Sequence, residues 1–209
     1  MSPPPPNPIY EPQGAPQAPD MVKTVRAPRM TVGRAALLGL MHHYLAALMD
    51  PFVSLLEIHK LMYFMQEAGE ELKLQYTKGL YGPYAVNLRH VLNHIEGHFI
   101  QGYADAEDAP DKQIELFPAA VDQATVFLDR HPGTRRRFDQ VVNLVEGFET
   151  SFGMGLLATV HWVAIREDGV TVHQAIEKTY MWNDRKRMFA PTQIRIAWET
   201  LQRKGWLSR

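Results

Sequence analysis

The sequence predicts a mainly α-helical fold with a small β element. Three observations lead there. Apolar residues recur at helical spacing through most of residues 31–204. Most of those runs begin at a capping Ser or Thr or at a first-turn Pro. Strict apolar–polar alternation is confined to a few short stretches.

The chain divides into a proline-rich arm, residues 1–29, and one folded unit, residues 30–209. Eight of the 15 prolines lie in the first twenty residues, and such a stretch favours extended polyproline conformations over core packing. Thr31 caps a first helix carrying Ala35, Leu37, Leu38, Leu40, Met41, Tyr44, Leu45 and Leu48, broken at Asp50-Pro51. Ser54 and Glu57 form a capping box for a second helix with Leu55, Ile58, Leu61, Met62 and Met65 on its buried stripe. Leu72, Leu74 and Tyr76 alternate with polar residues as a short strand. Gly79, Gly82 and Pro83 make a knuckle, and Pro83 suits the first turn of a helix reaching His98. Phe99 to Tyr103 and Ile114 to Phe117 read as further strands around an acidic loop. Helices follow from Pro118, from Thr134, from Thr150 or Ser151, from Thr171 and from Pro191. In outline, Val170 to Arg209 resembles a winged helix, with Gly205-Trp206-Leu207 entering a strand.

Composition excludes several functions. Hydrophobic residues are 45% of 209, ample for a core, and the net charge of -1 argues against generic polyanion binding and so against direct nucleic-acid binding. The absence of cysteine excludes disulfides, zinc ribbons and thiolate nucleophiles and suits a reducing cytoplasm. No apolar run reaches the roughly 20 residues that span a bilayer, and the N-terminus lacks a secretory pattern. No membrane partner and no cofactor are expected.

Candidate chemistry is sparse. His90, His94 and His98 recur every four residues on one predicted helix and could hold a divalent metal, yet HExxH is absent and a surface or semi-buried histidine stripe is the favoured reading, so no metal is expected. Gly153-Met154-Gly155 lacks the third glycine and the preceding strand of a dinucleotide fingerprint, and no P-loop motif occurs. Met62, Phe64 and Met65 suit either core or groove. Tyr81 and Tyr84 flank the knuckle as interface anchors. Residues 101–130 hold seven acids against two bases, among them Asp105, Glu107, Asp108 and Asp111 in one loop. No catalytic residue is assigned.

The segments LLEIHKLMYFMQEAGE, YTKGLYGPYAVNLRHVLNHIEGHFIQGYAD and LLATVHWVA resemble the C-terminal toxin-binding domain of DarG-type antitoxins, from about Met30 to Arg209. KLMYFMQ followed by YGPY is similar, more broadly, to the Panacea antitoxin domain. The resemblance implies an antitoxin domain, not an enzyme, that neutralises a DarT-type DNA ADP-ribosyltransferase toxin by direct binding. It implies that the family's macrodomain, a hydrolase acting on ADP-ribosylated DNA, is missing here. It carries over no contact residue. On charge alone, Asp105, Glu107, Asp108 and Asp111, with Tyr81 and Tyr84, are expected to cover the toxin's DNA groove by mimicking phosphates. Two other readings stay open: a metal-binding enzyme or sensor using the histidine stripe, and a winged-helix DNA-binding autoregulator.

Overall fold

The computed structural model describes residues 27–49, 51–103 and 109–207. The proline-rich arm before Ala27 and the acidic residues Asp105, Glu107 and Asp108 lie outside them. Among the described residues the fold is mainly helical with two small antiparallel sheets, as the sequence predicts.

Three helices make the centre: α1 (Val32–Leu48), α2 (Leu55–Glu67) and α6 (Ser151–Arg166). Each starts where a hydroxyl accepts a first-turn N–H. Thr31 caps α1, Thr150 caps α6, and Ser54 with Glu57 closes the capping box of α2. All three are apolar around most of their circumference, so they sit inside rather than on the surface. Met62, Phe64 and Met65 are core residues. Around this centre pack α3 (Leu88–Ile95), α4 (Pro118–Asp129), α5 (Pro132–Val145), α7 (Val172–Trp182) and α8 (Pro191–Arg203). No helix among the described residues is long and apolar enough to cross a membrane.

One sheet runs β1 (Phe52–Ser54), β5 (Gln113–Leu116), β4 (Ile100–Gln101) in spatial order, both pairs antiparallel. The other is a hairpin of β2 (Tyr76–Gly79) and β3 (Gly82–Ala85), registered Tyr76 to Ala85 and Gly79 to Gly82.

Four local expectations are corrected. The strand expected from Leu72 starts only at Tyr76, because side chains claim the earlier backbone. The Gln66 amide bonds both N–H and C=O of Leu74, and the Asn87 amide bonds Gln75 N–H and Lys73 C=O. Pro83 does not open a helix. It lies in β3, opposite Lys78, after a two-residue loop that needs Gly82 at φ +116°. The helix expected to reach His98 ends at Ile95, because the Glu96 carboxylate turns to accept the Gly102 and Tyr103 N–H groups. The wing strand does not form. Gly205 at φ +76° closes α8, Trp206 N–H returns to Leu201 C=O, and its ring packs edge-on to Phe64 at 5.6 Å.

Candidate functional site

A cleft of about 760 Å³ opens between the first turn of α6, the β2–β3 hairpin and a 3₁₀ turn over Asp184–Met188. Its walls are aromatic: Phe52, Tyr81, Phe152 and Phe189, the last two edge-to-face at 5.1 Å. Its cations are Arg185 and Lys186, and the Arg185 guanidinium lies 4.5 Å from the centre of the Tyr81 ring. A smaller cleft of about 220 Å³ lies on the other side of Tyr81 and takes in His59, Lys60, Gly82 and Tyr84. The two clefts share Leu56, Tyr81 and Pro110.

The hairpin tip between them is tied to the C-terminal end of α7. Trp182 Nε1 donates to Gly79 C=O at 2.9 Å, and Asn183 Nδ2 donates to Leu80 C=O at 3.1 Å. Tyr84 is stacked on the His59 ring, centroids 4.3 Å apart. Leu80 remains exposed at the tip.

Beneath Tyr81 the polar groups form two arrangements. Glu57 is buried and fully engaged: it accepts from the Ser54 N–H at 2.7 Å, the Tyr44 hydroxyl at 2.9 Å and the Ser151 hydroxyl at 2.6 Å. Lys60 and Lys186 are each 2% exposed. Lys60 Nζ donates to Pro83 C=O at 2.5 Å, and Lys186 Nζ donates to Thr159 Oγ1 at 3.1 Å, which donates to Gly155 C=O at 2.6 Å. Among the described residues neither ammonium has a carboxylate within ion-pair distance. Burial and the nearby Lys186 charge lower the Lys60 pKa to about 7. Burial and Arg185 lower that of Lys186 to about 8. Gly82 packs against both Lys60 and Thr159: a Cβ there would stand 3.2 Å from Thr159 Oγ1 and 3.3 Å from Lys60 Cε.

The structure brings three of the six expected interface residues to these clefts. Tyr81 lines both, Asp111 the larger and Tyr84 the smaller. The histidine stripe is not brought together. His90 and His94 are exposed on α3, His98 lies beyond its end, and no cluster able to hold a metal occurs among the described residues.

The lysines escaped the sequence reading. Lys60 has a signal: it lies in LEIHKLMYFM, where apolar residues on every side bury the whole helix and any lysine with it. Lys186 has less. It sits in an Arg-Lys-Arg run, and only the 3₁₀ turn directs it inward.

A third cleft, about 510 Å³, lies between α5, α6 and the end of α8. His161 and Trp206 line it, and the Tyr63 hydroxyl is 2.8 Å from His161 Nδ1.

No protein-family model matches the chain. It is similar to a DNA ADP-ribosyl glycohydrolase of Thermus aquaticus, 42% identical over 200 residues that cover 95% of this chain and 54% of the relative. Proteins of the same name from Mycobacterium bovis and Mycobacterium tuberculosis are each 37% identical over 202 residues, covering 90% of this chain and 56% of theirs. The chain thus spans about half the length of the curated relatives it matches. Their names overturn the expectation of a DarG-type toxin-binding antitoxin domain that is not an enzyme: all three are named for a hydrolase. The segments behind that expectation lie mainly in α2, the hairpin with α3, and α6, which specify a fold, and fold alone does not specify activity.

Proposed function

We propose that this chain works in a DNA ADP-ribosyl glycohydrolase, where the cleft beside Tyr81 holds the substrate. The carrying observation is the likeness, over 90–95% of its length, to proteins of that name. Such a reaction adds water across the bond between the ADP-ribosyl ribose and DNA, so the substrate carries a pyrophosphate, an adenine and a DNA strand.

The cleft's chemistry suits that load. Cations at Arg185 and Lys186 meet phosphate, and the Tyr81, Phe152 and Phe189 rings offer faces and edges to a base. The near-neutral net charge does not oppose this, because recognition depends on the local field of a cleft rather than on the molecular sum. Glu57, bound by three donors, is a positioning group that fixes Ser151 at the cleft mouth. We also read residues 1–29 as a linker and the cysteine-free chain as cytoplasmic.

The test is release of ADP-ribose from an ADP-ribosylated oligonucleotide by the protein carrying this chain. We expect release, with Tyr81→Ala and Arg185→Gln each raising KM by about tenfold while kcat changes less, the signature of lost substrate binding. Absence of release by the unaltered protein, or variants with unchanged KM, contradicts the proposal.

A further inference from the structure

We propose that the third cleft, between α5, α6 and the end of α8, is a second binding site, which takes a nucleoside monophosphate unit: a planar base carrying one phosphate. It shares no lining residue with the two clefts beside Tyr81, so the inference goes beyond the substrate-holding reading and does not rest on it.

Three elements build the site. On α5, Arg136, Gln140 and Asn143 stand four and then three residues apart, so one helix face presents all of them to the cleft. On α6, His161 lines the cleft while only 2% exposed, with the Tyr63 hydroxyl 2.8 Å from its Nδ1. At the end of α8, Gly205 at φ +76° turns the chain and Trp206 N–H returns to Leu201 C=O at 2.8 Å. The Trp206 ring then packs edge-on to both Phe64 and His161, at 5.6 and 5.9 Å. The indole is therefore fixed in place, yet only half-buried, before a ligand arrives.

Charge selects the ligand. The cleft has two carboxylates, and the protein already pairs both: Glu67 with Arg166, and Asp139 with Arg135 at 3.0 Å. Its two cations are treated differently. Among the described residues neither Arg136 nor Lys204 has a carboxylate within ion-pair distance. The local field is positive although the whole chain is near neutral, and it favours an anion. Lys204 Nζ donates to Asn143 C=O, which holds the ammonium between α5 and α8 with donors to spare. Arg136 brings a planar fork that matches two phosphate oxygens at once.

The ring sets the rest of the ligand. A guanidinium and an ammonium beside a fixed indole suit a molecule with phosphate at one end and a flat ring at the other. The side-chain amides of Gln140 and Asn143 supply both donors and acceptors for the polar edge of a base. The volume, about 510 Å³, exceeds what a bare phosphate fills and lies in the range of small-molecule sites, roughly 300 to 1,000 Å³.

The experiment reads the cleft locally, through the indole N–H signal of Trp206 in nitrogen-resolved NMR of the protein carrying this chain. The signal is assigned by its loss in Trp206→Phe. The probes are AMP, adenosine, inorganic phosphate and a short unmodified single-stranded oligonucleotide. We expect AMP to move the signal, and adenosine and phosphate each to need at least about tenfold higher concentration, since each lacks one half of the recognised unit. Arg136→Gln and Lys204→Gln should each weaken AMP by about tenfold, whereas Tyr81→Ala leaves its affinity at this signal unchanged. Arg136 is exposed, so its replacement tests the site without threatening the fold. A response to AMP and not to the oligonucleotide assigns the site to a free nucleotide; a response to both assigns it to a nucleotide of a DNA strand, and either supports the site. A signal unmoved by every probe overturns the proposal. So does adenosine or phosphate acting as tightly as AMP, or an AMP response that Tyr81→Ala weakens and Arg136→Gln does not.

Discussion

Glu57 and Lys60 lie three residues apart on the same buried helix and are treated in opposite ways. Glu57 is satisfied by the protein: a backbone N–H and two hydroxyls, from α1 and α6 as well as its own cap, saturate it. Lys60 is left with one carbonyl and a second lysine nearby. The first arrangement is a structural knot holding three helices together. The second is a buried ammonium held by one carbonyl oxygen and no carboxylate among the described residues. A buried polar group completed from within stabilises, whereas one left short of partners costs stability.

The largest expected effect strikes the satisfied side. Glu57→Ala removes the common acceptor of Tyr44 and Ser151 and should cost about 3 kcal/mol, read by urea unfolding. A loss below about 1 kcal/mol would show that the knot is replaceable.

The opposite sign is expected on the other side. Lys60→Met removes a buried charge without a counter-charge and keeps its volume, so it should stabilise the protein by about 2 kcal/mol near neutral pH. The pH dependence sharpens the contrast. Lys60 binds a proton less readily folded, near pH 7, than unfolded, near its ordinary 10.5. Between those values the unfolded chain holds more protons, so stability rises with pH, and below pH 7 the full penalty applies. That rise should be flatter in Lys60→Met.

Thr159→Val leaves Lys186 without its acceptor and should cost about 1.5 kcal/mol. The smallest effect is at a cap outside both clefts. Thr171→Ala loses the bond to Gln174 N–H and should cost about 1 kcal/mol without changing ligand affinity.

Much of the fold was legible in the sequence because its signals are local. The caps at Thr31, Ser54 and Thr171 act within four residues and are found where the sequence places them, and of the two candidates Thr150 and Ser151 the cap of α6 is Thr150. What was not legible depends on distant partners. Gln66 and Asn87 deny strand pairing to 73–75, and Glu96 ends a helix whose periodicity continues to His98. The site is less legible still. Tyr81, Tyr84 and Asp111 could be singled out as an aromatic knuckle and an acid, but the bonds from Lys60 to Pro83 and from Lys186 to Thr159 are tertiary contacts without sequence spacing. Activity was misread because the recognised segments encode packing.

The account's central claim is that Lys60 is buried without a counter-charge among the described residues. The most direct measurement is nitrogen NMR of the lysine side chains, followed through a pH titration. The account predicts that Lys60 Nζ titrates near pH 7, far below the ordinary lysine value. Titration near the ordinary value of 10.5 would contradict it.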